Sequence, residues 1–202
     1  MIYKIEELFN PTAVNEGDYP LNISLRLVDL NKDNVKGPGI YLIGFKKELI
    51  YVGKFESKNK GDVRADRIRR HLEGMTLRGS QCGFNKECSN FVLNEKKMLR
   101  ILNKSDKFAQ RIVENKKTGA MTSPNKLRLA LDNMESFMNK NISDIFKDFQ
   151  IAYVPFKQSN KVDVIEKEMI LLFNPKCNKE YHSDKNSSTF IKAYKQLSSY
   201  SK

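Results

Sequence analysis

Apolar and polar positions change period several times along this chain, and each change predicts an element. Gly37-Pro38-Gly39 interrupts the backbone, and two β-rich runs follow, Ile40 to Phe45 and Glu48 to Phe55, separated only by Lys46-Lys47. Two such runs joined by two residues predict a β-hairpin. Lys54 to Asp62 is a polar loop, after which Val63 to Met75 takes up helical spacing, with Gly74 placed to help end it. Residues 76–147 are mostly helical in pattern, with helices over Asn90 to Leu102 and Asp106 to Glu114. A third opens with Ser123 as N-cap and Pro124 at the first helical position, and runs to about Met138. Phe149 to Phe156 is a strand candidate, Val162 to Phe173 a helix stopped by Asn174-Pro175, and Ser187 to Tyr200 a final helix. At the other end, Ile2 to Phe9 predicts a short helix ended by Asn10-Pro11, while Asn22 to Leu30 fits a strand or a helix.

The order is hairpin, helix, helical insert, strand, helix, helix. Strands and helices do not alternate as a parallel sheet requires, so the expected class is α+β, a small antiparallel sheet covered by helices.

Three places carry side chains with chemistry. At about 100° per residue, Val162, Ile165, Met169, Ile170, Leu172 and Phe173 form one apolar stripe, and Glu166 falls inside it. A carboxylate there is costly unless it is paired, binds a cation or reaches solvent. On the helix Val63 to Met75, Ala65, Ile68, Leu72 and Met75 should face the core. Arg67 and His71, four apart with Arg64 nearby, share the adjoining flank. They suit either a solvated basic face or a common ligand, with arginine for phosphate oxygens and histidine for proton transfer. Tyr41 and Tyr51 lie on adjacent strands of the hairpin, where cross-strand packing is one role and a catalytic phenol another. A phenol with its ordinary pKa of about 10 needs a metal-bound water or neighbouring cations to act as a base near neutrality.

Composition changes this picture mainly through charge. The 202 residues carry a net charge of +12, but residues 36–128 hold 22 basic and 9 acidic side chains, a net of +13. A basic block of this kind attracts a polyanion by counterion release. Cys82, Cys88 and Cys177 form no disulfide framework and, with His182, match no standard zinc spacing. They read as free thiols in a reducing, cytoplasmic setting. No apolar run reaches the roughly 18–20 residues of a membrane span.

Gly39-Ile40-Tyr41, Tyr51-Val52-Gly53, Arg67 with His71, and Glu166 followed by Pro175 and Asn178 resemble the GIY-YIG nuclease superfamily in identity and order. The resemblance covers residues 37–75 and 148–178. It implies one domain over 1–202: a three-stranded antiparallel sheet flanked by helices, with an N-terminal extension (1–36), a basic helical insertion (76–147) and a C-terminal helix (179–202). It implies phosphodiester hydrolysis with one magnesium or manganese ion held by Glu166. By motif, Tyr41 is the general base or activates the water, Arg67 binds the scissile phosphate, and Tyr51, His71 and Asn178 complete the site.

Such proteins carry DNA recognition in inserts and extensions, so Arg78, Lys96, Lys97, Arg100, Lys126 and Arg128 are expected on a basic surface. Lys54, Arg64 and Arg70 are further expected DNA contacts. The small chain with a complete motif set is most like the type II restriction endonucleases, acting on double-stranded DNA as a homodimer in a prokaryotic or phage setting. A homing or structure-selective repair nuclease, or a DNA-binding module without activity, are the alternatives.

Overall fold

A computed structural model of the chain describes residues 1–13, 23–29, 35–56, 61–78, 123–139, 141–157, 159–185 and 188–201. The expected helices at Asn90 to Leu102 and Asp106 to Glu114 lie outside them. The chain divides into two compact units: Met1–Asn10, Leu27–Arg67 and Phe146–Lys202 form the first, Pro11–Arg26 and Ile68–Ile145 the second. The second unit thus contains nearly all of the expected insertion, together with an N-terminal stretch.

The first unit is built on a mostly antiparallel sheet, and the α+β class holds. The sheet has four strands where three were expected: β1 (Ile2–Lys4), β6 (Phe149–Pro155), β4 (Gly39–Phe45) and β5 (Glu48–Phe55), in that spatial order. The extra strand comes from the segment expected as one helix. Ile2, Tyr3 and Lys4 pair with Ala152, Ile151 and Gln150, and only Ile5–Leu8 is helical (α1). Three residues are too short to show a period of two, so this strand rests on its partner and not on local pattern. Phe9–Ala13 (β2) then pairs with Ile23–Leu27 (β3), which resolves the ambiguous segment as a strand.

The hairpin β4–β5 forms as the sequence predicts. Its turn residues Lys46 and Lys47 both have positive φ, 49° and 69°. Positive φ at both central positions is the turn geometry that matches strand twist. A non-glycine residue there costs roughly 1–2 kcal/mol. Lys46 recovers part of this by resting its ammonium 5.0 Å from the centre of the Phe45 ring. The backbone carbonyl of Lys47 accepts from Phe190 N–H, a contact that any residue keeps. Lys47→Gly is therefore expected to raise the unfolding free energy by about 1 kcal/mol, measured by urea denaturation.

One face of the sheet carries Ile40, Leu42, Leu49, Val52, Ala152 and Val154 against α6 (Val162–Phe173) and α7 (Phe190–Ser199). Burying each large apolar side chain contributes roughly 1.5–3 kcal/mol, so a one-residue slip in register would expose the whole set. Leu172, expected on the buried stripe of α6, is 56% exposed. It sits at the stripe's margin, about 80° from the mean direction of the other five residues at 100° per residue and on the flank opposite Ile170. Gly44 leaves room for the Phe190 ring, which a Cβ would approach to 2.6 Å. Asn174 ends α6 with φ 45°, and its amide holds the following loop by bonding the His182 N–H and the His182 and Lys185 carbonyls.

The helix after the hairpin starts with a π turn (Arg64–Ile68) and continues as α2 (Arg69–Thr76). It runs past Gly74 and ends at Leu77, which adopts a left-handed conformation (φ 54°) with its side chain fully buried. Within the second unit, α2 packs against α3 (Pro124–Asp132), and Leu72, Met75, Leu127 and Leu131 are buried. Pro124 opens α3 as predicted, although the Ser123 hydroxyl makes no capping bond. The helix expected to reach Met138 breaks at Asn133, giving α4 (Met134–Asn139), and α5 (Ile142–Ile145) follows. No described helix is long and apolar enough to cross a membrane.

Candidate active site

With β1 covering one side of the sheet, β5 is its other edge, and an edge strand leaves backbone groups without partners. Besides Ser188, whose carbonyl accepts the Leu49 N–H at 2.9 Å, three separate residues supply them. Asn178 Oδ1 accepts the Val52 N–H at 2.9 Å while its Nδ2 donates to the Val52 carbonyl at 2.8 Å, so one side-chain amide pairs like a neighbouring strand. Cys177 N–H donates to the Ile50 carbonyl at 2.7 Å, next to the bulge where β5 has one residue more than β4. Glu166 Oε1, reaching from α6, accepts the Lys54 N–H at 3.1 Å. The loop after α6 and one carboxylate thus close the sheet edge.

The phenols are seated by glycines. Tyr41 pairs across the sheet with Gly53 on one side and Tyr153 on the other. A Cβ on Gly53 would lie 2.5 Å from the Tyr41 Cζ and hydroxyl and 2.8 Å from the Tyr51 ring. Gly39 does the same for Tyr153, whose ring would be 2.6 Å from an added Cβ. These are backbone approaches that only glycine permits, so both motif glycines have a packing reason. The Tyr41 and Tyr51 rings stack at 6.0 Å and 28°, and their hydroxyls share a hydrogen bond.

Four of the expected residues act on one another. Burial holds the Tyr41 phenol well above its ordinary pKa, Tyr51 and Glu166 push it further, and Arg67 pulls it down. Tyr51 is pushed up to about 12, first by burial and then by Glu166, against the pull of its bond with Tyr41 and of Arg67. Glu166 is raised chiefly by burial, with the Lys54 charge and its N–H opposing and Asp163 and Glu180 adding. Arg67 itself is exposed and makes no hydrogen bond or ion pair with a described residue. The site therefore combines an open guanidinium, two neutral phenols and a carboxylate that burial makes costly to ionise.

That carboxylate fits a divalent cation. Glu166 uses Oε1 for Lys54 N–H and has no described partner on Oε2, and a cation would offset its desolvation. Among the described residues no group of three or more His, Cys, Asp and Glu side chains gathers for a metal. A single carboxylate with retained water is nevertheless an ordinary arrangement for magnesium.

Several expected DNA contacts are engaged inside the protein. Arg64 is buried, its guanidinium forked on the Asp62 carboxylate (2.7–3.1 Å) and donating to the Val28 carbonyl at 2.7 Å. A guanidinium so occupied is a structural group and not a phosphate contact. Lys54 Nζ is ion-paired with Asp163 and, at 2.7 Å, with Glu56, which raises its pKa. In the second unit Arg78 is buried with one nitrogen on the Phe137 carbonyl at 2.7 Å. Arg70 is partly buried and its Nε has no partner. Lys126 is buried with Nζ 2.8 Å from His71 Nδ1, and His71 is buried as well. Charge counting located these residues in the basic segment but carried no information on which of them point inward. Lys96, Lys97 and Arg100 lie outside the described residues, as do Cys82 and Cys88, while Cys177 is buried.

Comparison of the chain with protein-family models, with curated proteins and with solved structures finds no match in any of the three.

Proposed function

We propose that this protein is a divalent-metal-dependent endonuclease of the GIY-YIG type that hydrolyses double-stranded DNA at specific sites, in the manner of a type II restriction enzyme. What carries the reading is the mutual influence of Tyr41, Tyr51, Arg67 and Glu166, brought from separate stretches of chain to one part of the first unit. Phosphodiester hydrolysis needs a water deprotonated in line with the leaving oxygen, and positive charge on the phosphorane. Arg67 is open to bind and neutralise the scissile phosphate. Tyr41 keeps its proton at neutral pH and starts as a hydrogen-bond donor to Tyr51. It can accept the water's proton only after its own proton has left to bulk solvent, and Arg67 is the side chain that favours the resulting phenolate. Glu166 would hold the cation, which when bound would supply Lewis-acid stabilisation of the leaving oxygen. Asn178 and the Lys54 N–H keep the edge of β5 fixed under both groups.

The basic segment 36–128 draws the duplex to the site. A palindromic recognition sequence would be cut by two copies related by a two-fold, so the active form is expected to be a homodimer. Plasmid DNA incubated with the purified protein and magnesium or manganese is the test. Discrete fragments, lost on adding EDTA, are the expected outcome. Cutting only of branched DNA would move the assignment to a structure-selective nuclease, and binding without cleavage under any divalent ion would reduce it to a DNA-binding module.

A further inference from the structure

Lys54 meets α6 at two points. Its backbone N–H donates to Glu166 Oε1 at 3.1 Å, and its ammonium is ion-paired with Asp163, one turn earlier on the same helix. Asp163 and Glu166 are three positions apart, so both carboxylates leave α6 on the flank that meets β5. Glu56, the residue after the end of β5, takes the same ammonium at 2.7 Å. All four residues belong to the first unit. The Lys54, Asp163 and Glu56 side chains are 33%, 52% and 54% exposed, and ion pairs this open contribute little to folding. Glu166 supplies another reason for them. Burying a charged carboxylate is costly, and a half-buried glutamate can rotate out to water through its side-chain torsions. One bond from a backbone N–H restrains it weakly. A second tie, three residues earlier, fixes the rotation of α6 about its own axis and so the direction in which Glu166 leaves it.

We infer that Asp163 is a positioning residue for Glu166: by holding the Lys54 side chain it locks the first turn of α6 to β5. Glu166 Oε1 then stays on the Lys54 N–H, and Oε2 is left for a divalent cation. The cation rests on the nuclease reading, whereas the tie between strand and helix does not.

Lys54→Met separates positioning from simple charge. It leaves Asp163 and Glu56 without their cation, so a field effect alone would tighten magnesium binding, whereas loss of the tie would loosen it. The magnesium concentration giving half the full rise in Tm of the whole chain should increase about two- to fivefold in Lys54→Met and in Asp163→Asn. Lys54→Arg, which keeps the cation, should return to the parent value. Tighter binding in Lys54→Met, or parent-like binding in Asp163→Asn, would overturn the inference. Plasmid cleavage should follow the metal: kcat falls at limiting magnesium, excess magnesium restores it, and KM for DNA does not move. A raised KM in Lys54→Met with unchanged magnesium affinity would also overturn it and make Lys54 a phosphate contact. In metal-free buffer, hydrogen exchange at the position-54 amide of the labelled chain should speed up about two- to fivefold in Asp163→Asn, as Glu166 lets go more often. Unchanged exchange would sink the positioning role. If neither magnesium nor manganese moves the parent's Tm, the metal-dependent nuclease reading fails, while amide exchange still decides whether Asp163 holds Glu166 in place.

Discussion

Glu166→Gln is expected to abolish DNA cleavage while leaving the protein at least as stable at neutral pH. The two halves of this result have one origin. Glu166 is half-buried and its pKa is raised, chiefly by desolvation, so the folded state binds its proton more tightly than the unfolded chain does. The sign follows from linkage: stability from this group is fully present below its unfolded value of 4.5 and is lost as pH rises through the folded value. At neutral pH the carboxylate is a net cost to folding. Glutamine has nearly the same shape and can still accept the Lys54 N–H, so it removes that cost without opening the edge of β5. Thermal unfolding at pH 7 should give a Tm equal to or above the parent's, and the difference should shrink as the buffer approaches pH 4.

Activity should move the other way. A cation's stabilisation of the leaving oxygen is worth several kcal/mol, so kcat for plasmid cleavage should drop at least about 10²–10³-fold. Magnesium should raise the Tm of the parent, because it binds only the folded state, and should leave that of Glu166→Gln unmoved. A variant that retained cleavage, or one that lost stability together with activity, would remove Glu166 from its proposed place as metal ligand.

How much of this was legible in the sequence depended on whether the signal was local. The hairpin, α6 and its stop at Asn174-Pro175 follow from period and punctuation within a dozen residues, and they form as read. Glu166 stood out because a charge interrupted an apolar stripe. Strand β1 was not visible, since Ile2 to Lys4 gain their conformation from Ala152 and Gln150, some 150 positions away. The same limit explains Arg64 and Lys126. Each reads as surface charge, and only the fold places Asp62 and the Val28 carbonyl around one and His71 against the other. Gly39 and Gly53 entered as motif letters, and their reason (phenol rings 2.5–2.6 Å from where a Cβ would stand) is a tertiary contact. Charge density locates a basic segment along the chain. It does not say which way a side chain points.

Asn178 gives the complementary result, a site residue whose loss should cost stability as well as activity. Its amide makes two buried bonds to Val52, one accepted and one donated, at the edge of β5. Truncation to alanine leaves a Val52 N–H and carbonyl unsatisfied, and each such group costs about 1–3 kcal/mol. Asn178→Ala should therefore lower the unfolding free energy by roughly 2–4 kcal/mol, read as a Tm drop on the order of 5–15 °C. Aspartate keeps the acceptor but turns the donor into an oxygen facing the Val52 carbonyl, so Asn178→Asp should be no better than alanine. Cleavage should fall in both variants, because Tyr51 and Gly53 flank Val52 on the strand that Asn178 holds, with Lys54 one residue further on. Activity measured well below each variant's Tm separates this from a residue that touches substrate. If Asn178→Ala kept the parent's stability and lost only kcat, the edge-pairing role would be wrong and direct participation in the chemistry would take its place.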